Sequence, residues 1–351
     1  MSKVTNKEIV INNNKDKTRS HYRAFHHIFL YITERCQLKC NHCYMGSRLE
    51  RKLDMSYENA INILNYCHNL GSENLTIIGG EPTLHKDLTK IVDSAIQIGY
   101  NNIYIDTNGL AINNLKTIDP QKLTYIRFSL DGATAETHEK VRGSGTYEKT
   151  IKSIKKLIKE NYQVGITCTI FKFNINDSLK LLDLAEKLGI KLINYHVFSE
   201  EGRGKRNSDW GLSPKEWINF YEHIETLKHK YQISIWYPPT WTTHKNLYRY
   251  VDEGYRGCPG CTLDRLSIFP DGKSYICSVL FDESLYFGTI TDKGFILNRE
   301  HNEFEIFTKA AFSVSKPWLS GCPAESILEK NGKKETPSEY ISICRCWKSQ
   351  I

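Results

Sequence analysis

Hydrophobic and polar positions follow two alternating patterns from residue 26 to about residue 204. Short apolar runs rich in β-branched and aromatic residues predict six strands, at residues 27–33, 75–78, 102–106, 125–130, 163–170 and 192–198. Longer segments with helical spacing lie between them, at residues 56–69, 87–98, 147–160 and 176–188. Strands alternating with helices predict parallel βα units with right-handed crossovers. We therefore expect an α/β fold with a partial (β/α)6, TIM-like barrel.

The pattern changes after Gly202-Arg203-Gly204. A helix near residues 214–228 and a short strand near residues 233–237 indicate a connecting segment. From Cys258 onward the cysteines are dense and irregularly spaced, which favours a small domain built around metal. The predicted division is a basic N-terminal arm at 1–25, the barrel at 26–204, a connecting helix and linker at 205–256, and a metal domain at 257–351.

Composition narrows the class of protein. A chain of 351 residues suits one large α/β domain with a smaller appendage. No membrane span and no export signal is evident, so we interpret the 11 cysteines as reduced, metal-binding thiols of a cytoplasmic protein. The net charge of +7 permits an acidic partner, although a solvated basic surface explains it as well.

The first predicted strand is followed by three cysteines, Cys36, Cys40 and Cys43. Three thiolates at this spacing can bind three irons of a [4Fe–4S] cluster and leave the fourth iron open. A structural zinc site would need four ligands, and three ordinary buried thiols are the remaining alternative. The loop predicts an iron–sulfur site with a vacant iron.

Three further turns follow the next three strands, where barrel enzymes carry their chemistry. They are Gly79-Gly80-Glu81-Pro82, Thr107-Asn108-Gly109 and Ser129-Leu130-Asp131-Gly132. The glycines allow a ligand to approach the backbone, and the acidic and amide side chains suit an amine or sugar hydroxyls. Arg142 could bind a carboxylate. Taken alone, the sequence of each turn is also typical of an ordinary βα turn without a ligand.

The CxxxCxxC loop, with aromatic His42 before its last cysteine, resembles the radical S-adenosylmethionine (SAM) superfamily. The GGEP turn and the Ser-x-Asp-Gly strand end strengthen the resemblance. It implies a [4Fe–4S] cluster whose open iron chelates SAM and forms a 5′-deoxyadenosyl radical that takes hydrogen from substrate. The cofactor-binding residues that it implies are Gly79, Gly80, Glu81, Thr107, Asn108, Ser129, Asp131, Arg142 and Val197.

Roles within that set also follow from the resemblance. Gly80 and Glu81 would hold the methionyl amine, Ser129 and Asp131 the ribose or methionyl group, and Arg142 the methionyl carboxylate. Residues 197–204 resemble the strand end on the adenine side. No residue is assigned as acid, base or hydrogen donor.

The cysteine-rich tail predicts a β-hairpin. Residues 263–269 and 273–277 would pair across Asp271-Gly272 and bring Cys261 near Cys277. On the residues alone, a zinc ribbon is an equal alternative. The tail resembles the SPASM/twitch extensions of radical SAM enzymes, which implies an auxiliary [4Fe–4S] cluster on Cys261 and Cys277. Cys322 and one of Cys258, Cys344 or Cys346 would complete the ligand set of this cluster. A second, incomplete cluster is an alternative that the resemblance leaves open.

The resulting hypothesis is a radical SAM enzyme that cross-links, epimerises or oxidises a ribosomally made peptide. The alternative is a twitch-type enzyme acting on a small molecule such as a sugar or aminoglycoside precursor. The tail also resembles the GTP cyclase of molybdenum-cofactor synthesis, but its spacing and final residues differ, so that reading is set aside. A zinc protein that binds nucleic acid is the non-enzymatic alternative.

Partners follow from the same hypothesis. We expect an electron donor such as flavodoxin or ferredoxin, and a peptide or small-molecule substrate. Residues 1–25 are too short for a leader-binding winged helix, so binding of a leader peptide would need a separate leader-peptide-binding protein or another surface of this chain. No membrane and no nucleic-acid partner is expected.

Overall fold

The structure, a computed structural model, describes residues 25–252, 258, 260, 263–277, 284–292, 294–300, 303, 305–307, 322, 324 and 339–343. The strands are β1 His27–Thr33, β2 Asn74–Gly79, β3 Asn102–Thr107, β4 Tyr125–Ser129, β5 Val164–Ile170, β6 Leu192–Val197, β7 Ser234–Trp236, β8 Trp241–Thr243, β9 Arg265–Ile268, β10 Lys273–Tyr275, β11 Gly288–Thr291, β12 Gly294–Leu297 and β13 Tyr340–Ser342. The helices are α1 Arg48–Arg51, α2 Tyr57–Asn69, α3 Leu88–Ile98, α4 Ala135–Arg142, α5 Thr146–Lys159, α6 Ile175–Leu188, α7 Pro214–Leu227 and α8 Leu247–Asp252. Within these described ranges, every helix is too short or too polar to span a membrane.

The predicted α/β class and its partial barrel are confirmed. Strands β1 to β6 form within one or two residues of the predicted positions, and α2, α3, α5 and α6 connect them. Neighbours in this series pair in parallel. Helix α7 begins with a capping box between Ser213 and Glu216, directly before the predicted start at residue 214.

Two strands from later in the chain extend the barrel. Strand β7 pairs in parallel with β6, and β9 pairs in parallel with β1 on the opposite side. The order of the sheet in the described residues is therefore β12-β11-β10-β9-β1-β2-β3-β4-β5-β6-β7. The predicted hairpin in the tail is present as β9 and β10. The sheet thus crosses the expected boundary at residue 257, while the domain boundaries themselves stay predictions.

The two faces of the barrel differ in chemistry. Ile28, Leu30 and Ile32 of β1 belong to the buried core together with the apolar residues of α2 and α3. Burying a side chain of this size contributes about 1.5–3 kcal/mol. On β3 and β4 buried residues alternate with half-buried ones, so one face of these strands is less covered than the other. The inner face is the lumen of the barrel.

Candidate active site

The three cysteines of the predicted cluster site lie in the loop between β1 and α1. Cys40 is buried, and Cys36 and Cys43 are partly exposed. The backbone amide of Cys43 donates to the carbonyl of Cys40 at 3.3 Å, and that of Gly46 donates to the carbonyl of Cys43 at 3.3 Å. Two successive tight turns therefore set the spacing of the second and third thiols.

Polar groups from distant turns reach two of these sulfurs. The side-chain amide of Asn108 donates to Cys36 Sγ at 3.8 Å, and the backbone amide of Leu38 donates to the same atom at 3.4 Å. Arg142 Nη1 lies 4.0 Å from Cys40 Sγ. Such contacts favour thiolate over thiol, as metal binding requires.

Burial acts against the thiolate form at all three positions. It raises the pKa of Cys36 to about 12, and it also raises the pKa of Cys40 and Cys43. The charge of Arg142 opposes this effect at Cys40, and that of Arg203 opposes it at Cys43. A bound metal supplies the positive charge that keeps such thiols deprotonated.

The donor set fits an iron–sulfur cluster better than a single ion. Among the described residues, no three His, Cys, Asp or Glu side chains converge closely enough to hold one metal ion. A [4Fe–4S] cluster does not need that convergence, because each thiolate binds a different iron. Three thiols in one loop are the donor set that such a cluster takes, and the assignment of Cys36, Cys40 and Cys43 as its ligands stays a prediction.

The Gly79-Gly80 turn holds the start of the cysteine loop. The amides of Gly80 and Glu81 donate to the carbonyls of Thr33 and Arg35, both at 2.7 Å. A Cβ on Gly80 would lie 2.3 Å from the Arg35 carbonyl oxygen, and one on Gly79 equally close to that of Thr33. Close approach of the protein's own backbone, rather than of a ligand alone, requires these glycines.

Glu81 is bound to its own chain. Its Oε1 accepts hydrogen bonds from Thr83 N, Thr83 Oγ1 and Thr107 Oγ1, and its Oε2 accepts from Asn108 N at 2.7 Å. Burial raises the pKa of this carboxyl group, and these bonds act in the opposite direction. Glu81 therefore fixes the turn that presents Asn108 to Cys36. Its predicted contact with the SAM amine stays a prediction.

Asp131 and Arg142 form a buried ion pair, with 2.6 Å between Oδ2 and Nε. The other carboxylate oxygen accepts from Thr169 N at 2.9 Å. Burial acts to raise the pKa of Asp131, but the charge of Arg142, two nearby histidines and the hydrogen bond from Thr169 N together outweigh it and hold that pKa below its usual range. Asp131 therefore orients the guanidinium toward Cys40. The predicted contacts of both residues with SAM stay predictions.

The remaining predicted SAM contacts are divided between the two faces of the strands. Ser129 ends β4 on the lumen side and lies opposite Thr167 of β5. Val197 packs against the buried core at the end of β6. The Thr107 hydroxyl donates to Glu81 and accepts from Gly109 N at 3.0 Å, so it supports the turn.

Residues 202–204 contact the cysteine loop, which sequence reasoning missed. Arg203 N donates to the Cys43 carbonyl at 2.9 Å. Gly202 has φ +57°, and a Cβ there would lie 2.5 Å from the Cys43 carbonyl oxygen. The sequence predicted this segment as the end of the barrel and as part of the adenine-side strand end, without a contact to the cysteine loop. His42, the predicted aromatic residue, packs edge-on against Phe171.

The tail cysteines are described only in part. Cys258, Cys277 and Cys322 are buried, whereas Cys261, Cys344 and Cys346 lie outside the described residues. The amides of Ile276 and Cys277 donate to the buried carboxylate of Glu303 at 2.7 and 3.2 Å. The auxiliary ligand set therefore stays a prediction.

Comparison with known proteins defines the class. Residues 30–185 match the Radical SAM superfamily. The Fe-coproporphyrin III synthase of Methanosarcina barkeri is 32% identical over 189 residues, which are 53% of this chain and 47% of that protein. The match thus spans about half of that relative's length. Residues 30–185 therefore carry a radical SAM domain, which confirms the resemblance for this part of the chain.

More particular similarities point to two groups of enzymes. The probable GTP 3′,8-cyclase of Saccharolobus islandicus is 28% identical over 73% of this chain and 83% of its own length. Streptococcus suis SuiB bound to S-adenosylmethionine has the same fold, with a TM-score of 0.67 at 16% identity over 88% of this chain and 75% of SuiB. The structure of anSMEcpe with bound AdoMet and Cp18Cys peptide has a TM-score of 0.62 and 18% sequence identity. The match covers 92% of this chain and 90% of anSMEcpe.

Proposed function

We propose that this radical SAM enzyme modifies a ribosomally made peptide by cross-linking, epimerisation or oxidation. The observation that carries the proposal is the extent of the shared fold. The agreement with anSMEcpe, solved with a bound peptide, covers 92% of this chain and therefore continues far beyond residues 30–185. SuiB has also been solved bound to its precursor peptide SuiA.

Cys36, Cys40 and Cys43 would hold the [4Fe–4S] cluster that binds SAM. Together the two cofactors supply one-electron cleavage of SAM and abstraction of hydrogen from the substrate. Polar side chains would orient the cluster ligands: Asn108 donates to Cys36, and Arg142, which is bound to Asp131, faces Cys40. Apolar side chains, among them Tyr31, Met45 and Phe269, pack around the cysteine loop and limit the access of water.

The tail would hold one auxiliary [4Fe–4S] cluster. Burial of Cys258, Cys277 and Cys322 in one described core supports this assignment, and Cys261 would be a further ligand. An external one-electron donor such as flavodoxin or ferredoxin is needed, because SAM cleavage consumes an electron. A separate leader-binding protein remains part of the proposal.

The test measures turnover of a peptide. The anaerobically reconstituted chain receives SAM, a chemical reductant and a precursor peptide encoded beside its gene. We expect 5′-deoxyadenosine to form together with a change in the mass or stereochemistry of the peptide. Peptides that raise deoxyadenosine formation but return unmodified, or no response to any encoded peptide, would contradict the proposal.

A small-molecule substrate is the second candidate. It is favoured by the sequence relatives, since the GTP 3′,8-cyclase match covers 83% of that protein. Sugars and aminoglycoside precursors belong to the same candidate class. Running the deoxyadenosine assay with GTP and with such compounds in place of peptide separates the two candidates.

A further inference from the structure

The cysteine loop reaches the protein surface on both sides of buried Cys40. Its two neighbours along the chain, Lys39 and Asn41, are exposed. The end of α4 and the segment before α7 hold Asn41 in place. Its backbone amide donates to the Val141 carbonyl at 2.9 Å, and its own carbonyl accepts from Asn207 Nδ2 at 3.0 Å. Asn41 is therefore a fixed point of the surface, one residue away from a predicted cluster ligand.

Exposed basic side chains from four segments of the chain surround Asn41. The carbonyl of Lys140, at the end of α4, accepts from Asn41 Nδ2 at 3.0 Å. The Lys140 ammonium lies 3.9 Å from the centre of the Phe173 ring, directly after Lys172 in the chain. Arg206 directly precedes the residue that donates to the Asn41 carbonyl. Together with the exposed residue before Cys40, they are named the basic surface: Lys39, Lys140, Lys172 and Arg206.

Nearby carboxylates offset the basic surface only in part. In the part of the chain that the structure describes, none of its four side chains forms an ion pair. Lys205 pairs with Glu201 at 3.2 Å, so these two neighbours add no net charge. The Glu139 carboxylate of α4 accepts from Tyr147 N at 3.1 Å and is thus bound at the start of α5. Asp209 remains as an exposed carboxylate on the same segment as Arg206, and the surplus charge is positive.

Position, more than charge, distinguishes the basic surface. Helix α5 also carries exposed lysines, among them Lys152 and Lys155, which line a groove on its outer side. That helix packs on the core of the barrel through Ile154 and Leu157, whereas the basic surface contacts the cysteine loop itself. Because electron transfer slows steeply with distance, a protein that reduces the cluster has to dock where the cluster lies nearest the surface. The basic surface beside Cys40 meets this requirement.

We propose that the basic surface docks an acidic one-electron donor protein of the flavodoxin or ferredoxin class. Complementary exposed charges steer such a partner into place and set the rate of its encounter more than its final affinity. The donor is oxidised by one electron and the cluster is reduced by that electron, while no bond forms or breaks in this step. The inference rests on the proposed function, because it requires the cluster and the cleavage of SAM.

The experiment measures the rate of 5′-deoxyadenosine formation by the reconstituted chain with SAM and different electron sources. Reduced flavodoxin and a reduced [2Fe–2S] ferredoxin are acidic proteins that have to dock, whereas reduced methyl viologen is a small cation that needs no docking surface. Lys140→Glu and Arg206→Glu should each lower the rate with the better donor protein about tenfold at low ionic strength, because the encounter loses its attraction. The rate with methyl viologen should not fall in either variant.

Two further measurements test the electrostatic origin of this effect. Added salt should slow the donor-driven reaction of the unmodified chain and reduce its difference from the variants, because salt screens exposed charges. Lys140→Gln removes the charge without reversing it, so it should lower the donor-driven rate less than Lys140→Glu does. A fall in the viologen-driven rate would identify a variant that is damaged in its fold, in which case Lys140→Gln and Lys172→Gln take its place.

Lys152→Glu and Lys155→Glu on α5 are the matched controls, because they make the same charge change at exposed positions. Each should change the donor-driven rate by less than about twofold. An equal loss in the α5 variants, donor-driven rates that the basic-surface variants leave unchanged, or no rate with either donor protein would overturn the inference. If methyl viologen still drives modification of the peptide, the proposed function survives that outcome. No 5′-deoxyadenosine with methyl viologen would overturn both.

Discussion

The rim of the barrel, formed by the turns that follow β1 to β4, differs from the β5–β6 wall of the lumen in how its buried polar side chains are satisfied. At the rim, Glu81 accepts four hydrogen bonds from the chain, and Asp131 binds both Arg142 and a backbone amide. In the lumen, Asn194 Oδ1 and Thr167 Oγ1 have no partner among the described residues. The two rim carboxylates are therefore held by the chain itself, whereas these two atoms of the β5–β6 wall are left for water or a ligand.

The variant with the largest expected effect tests whether the cysteine loop at the rim binds a cluster. Cys40→Ala should reduce iron content sharply and bring 5′-deoxyadenosine formation to background, because one of three cluster ligands is lost. The control is Cys67→Ala, since Cys67 is fully buried on α2 away from the loop. Iron and sulfide analysis together with the deoxyadenosine assay measures both. Full activity of the Cys40 variant would remove the basis for the site.

The next effect tests whether backbone contact, not ligand contact, explains the glycine turn. Gly80→Ala should displace the cysteine loop and lower iron loading even in the absence of SAM, because its Cβ would meet the Arg35 carbonyl at 2.3 Å. Gly211→Ala is the control, since its Cβ would meet the flexible side chain of Glu200 at 3.2 Å. Normal iron loading with weakened SAM binding would instead support a ligand-facing role.

The free energy of unfolding should distinguish the rim ion pair, Asp131 with Arg142, from the lumen ion pair, Asp106 with Arg127. Asp131→Ala should lower the free energy of unfolding by about 3–5 kcal/mol, because it leaves Arg142 buried without a counter-charge. Asp106→Asn in the lumen should cost only about 1.5 kcal/mol, because its side chain and that of Arg127 retain 18% and 11% exposure. Urea unfolding compares the two variants.

The double variant Asp131→Ala with Arg142→Met is the control for the rim pair. It should recover much of the stability lost in the single variant, because it removes both buried charges. Equal losses in Asp131→Ala and Asp106→Asn would show that the lumen is fixed as firmly as the rim.

The smallest effect concerns pH at the outer edge of the rim. Burial acts to raise the pKa of Asp54, but hydrogen bonds from Thr33 and Arg35 outweigh it and hold that pKa below its usual range. Its contribution to stability is therefore present above the unfolded pKa of about 3.9 and lost as pH falls through the lower folded pKa.

Asp54→Asn should cost less than about 1 kcal/mol at neutral pH, because the pair is partly exposed. The difference from the unmodified chain should vanish in acid, as urea unfolding at several pH values would measure. Asp209→Asn, at an exposed position, is the matched control variant. A difference that persists well below pH 3 would contradict the assignment.

Much of the fold could be predicted from local pattern. Strands β1 to β6 and helices α2, α3, α5 and α6 lie where the apolar periods placed them, because these periods encode which face of each element is buried. Helix α4 was missed because its sequence is almost entirely polar, with only His138 and Val141 buried. The pairing of β9 with β1 was also missed, because no local signal specifies a partner so distant along the chain.

The candidate site divides in the same way. The sequence alone determined the cysteine spacing, the glycine turn and the order of the strand ends, because each depends on neighbouring residues and on backbone geometry. Only the tertiary structure decided that Glu81 and Asp131 bind their own chain, that Arg203 N contacts Cys43, and that Arg127 faces the lumen. A buried charge selects its partner by long-range proximity in a low-dielectric interior, and that proximity exists only once the barrel has formed.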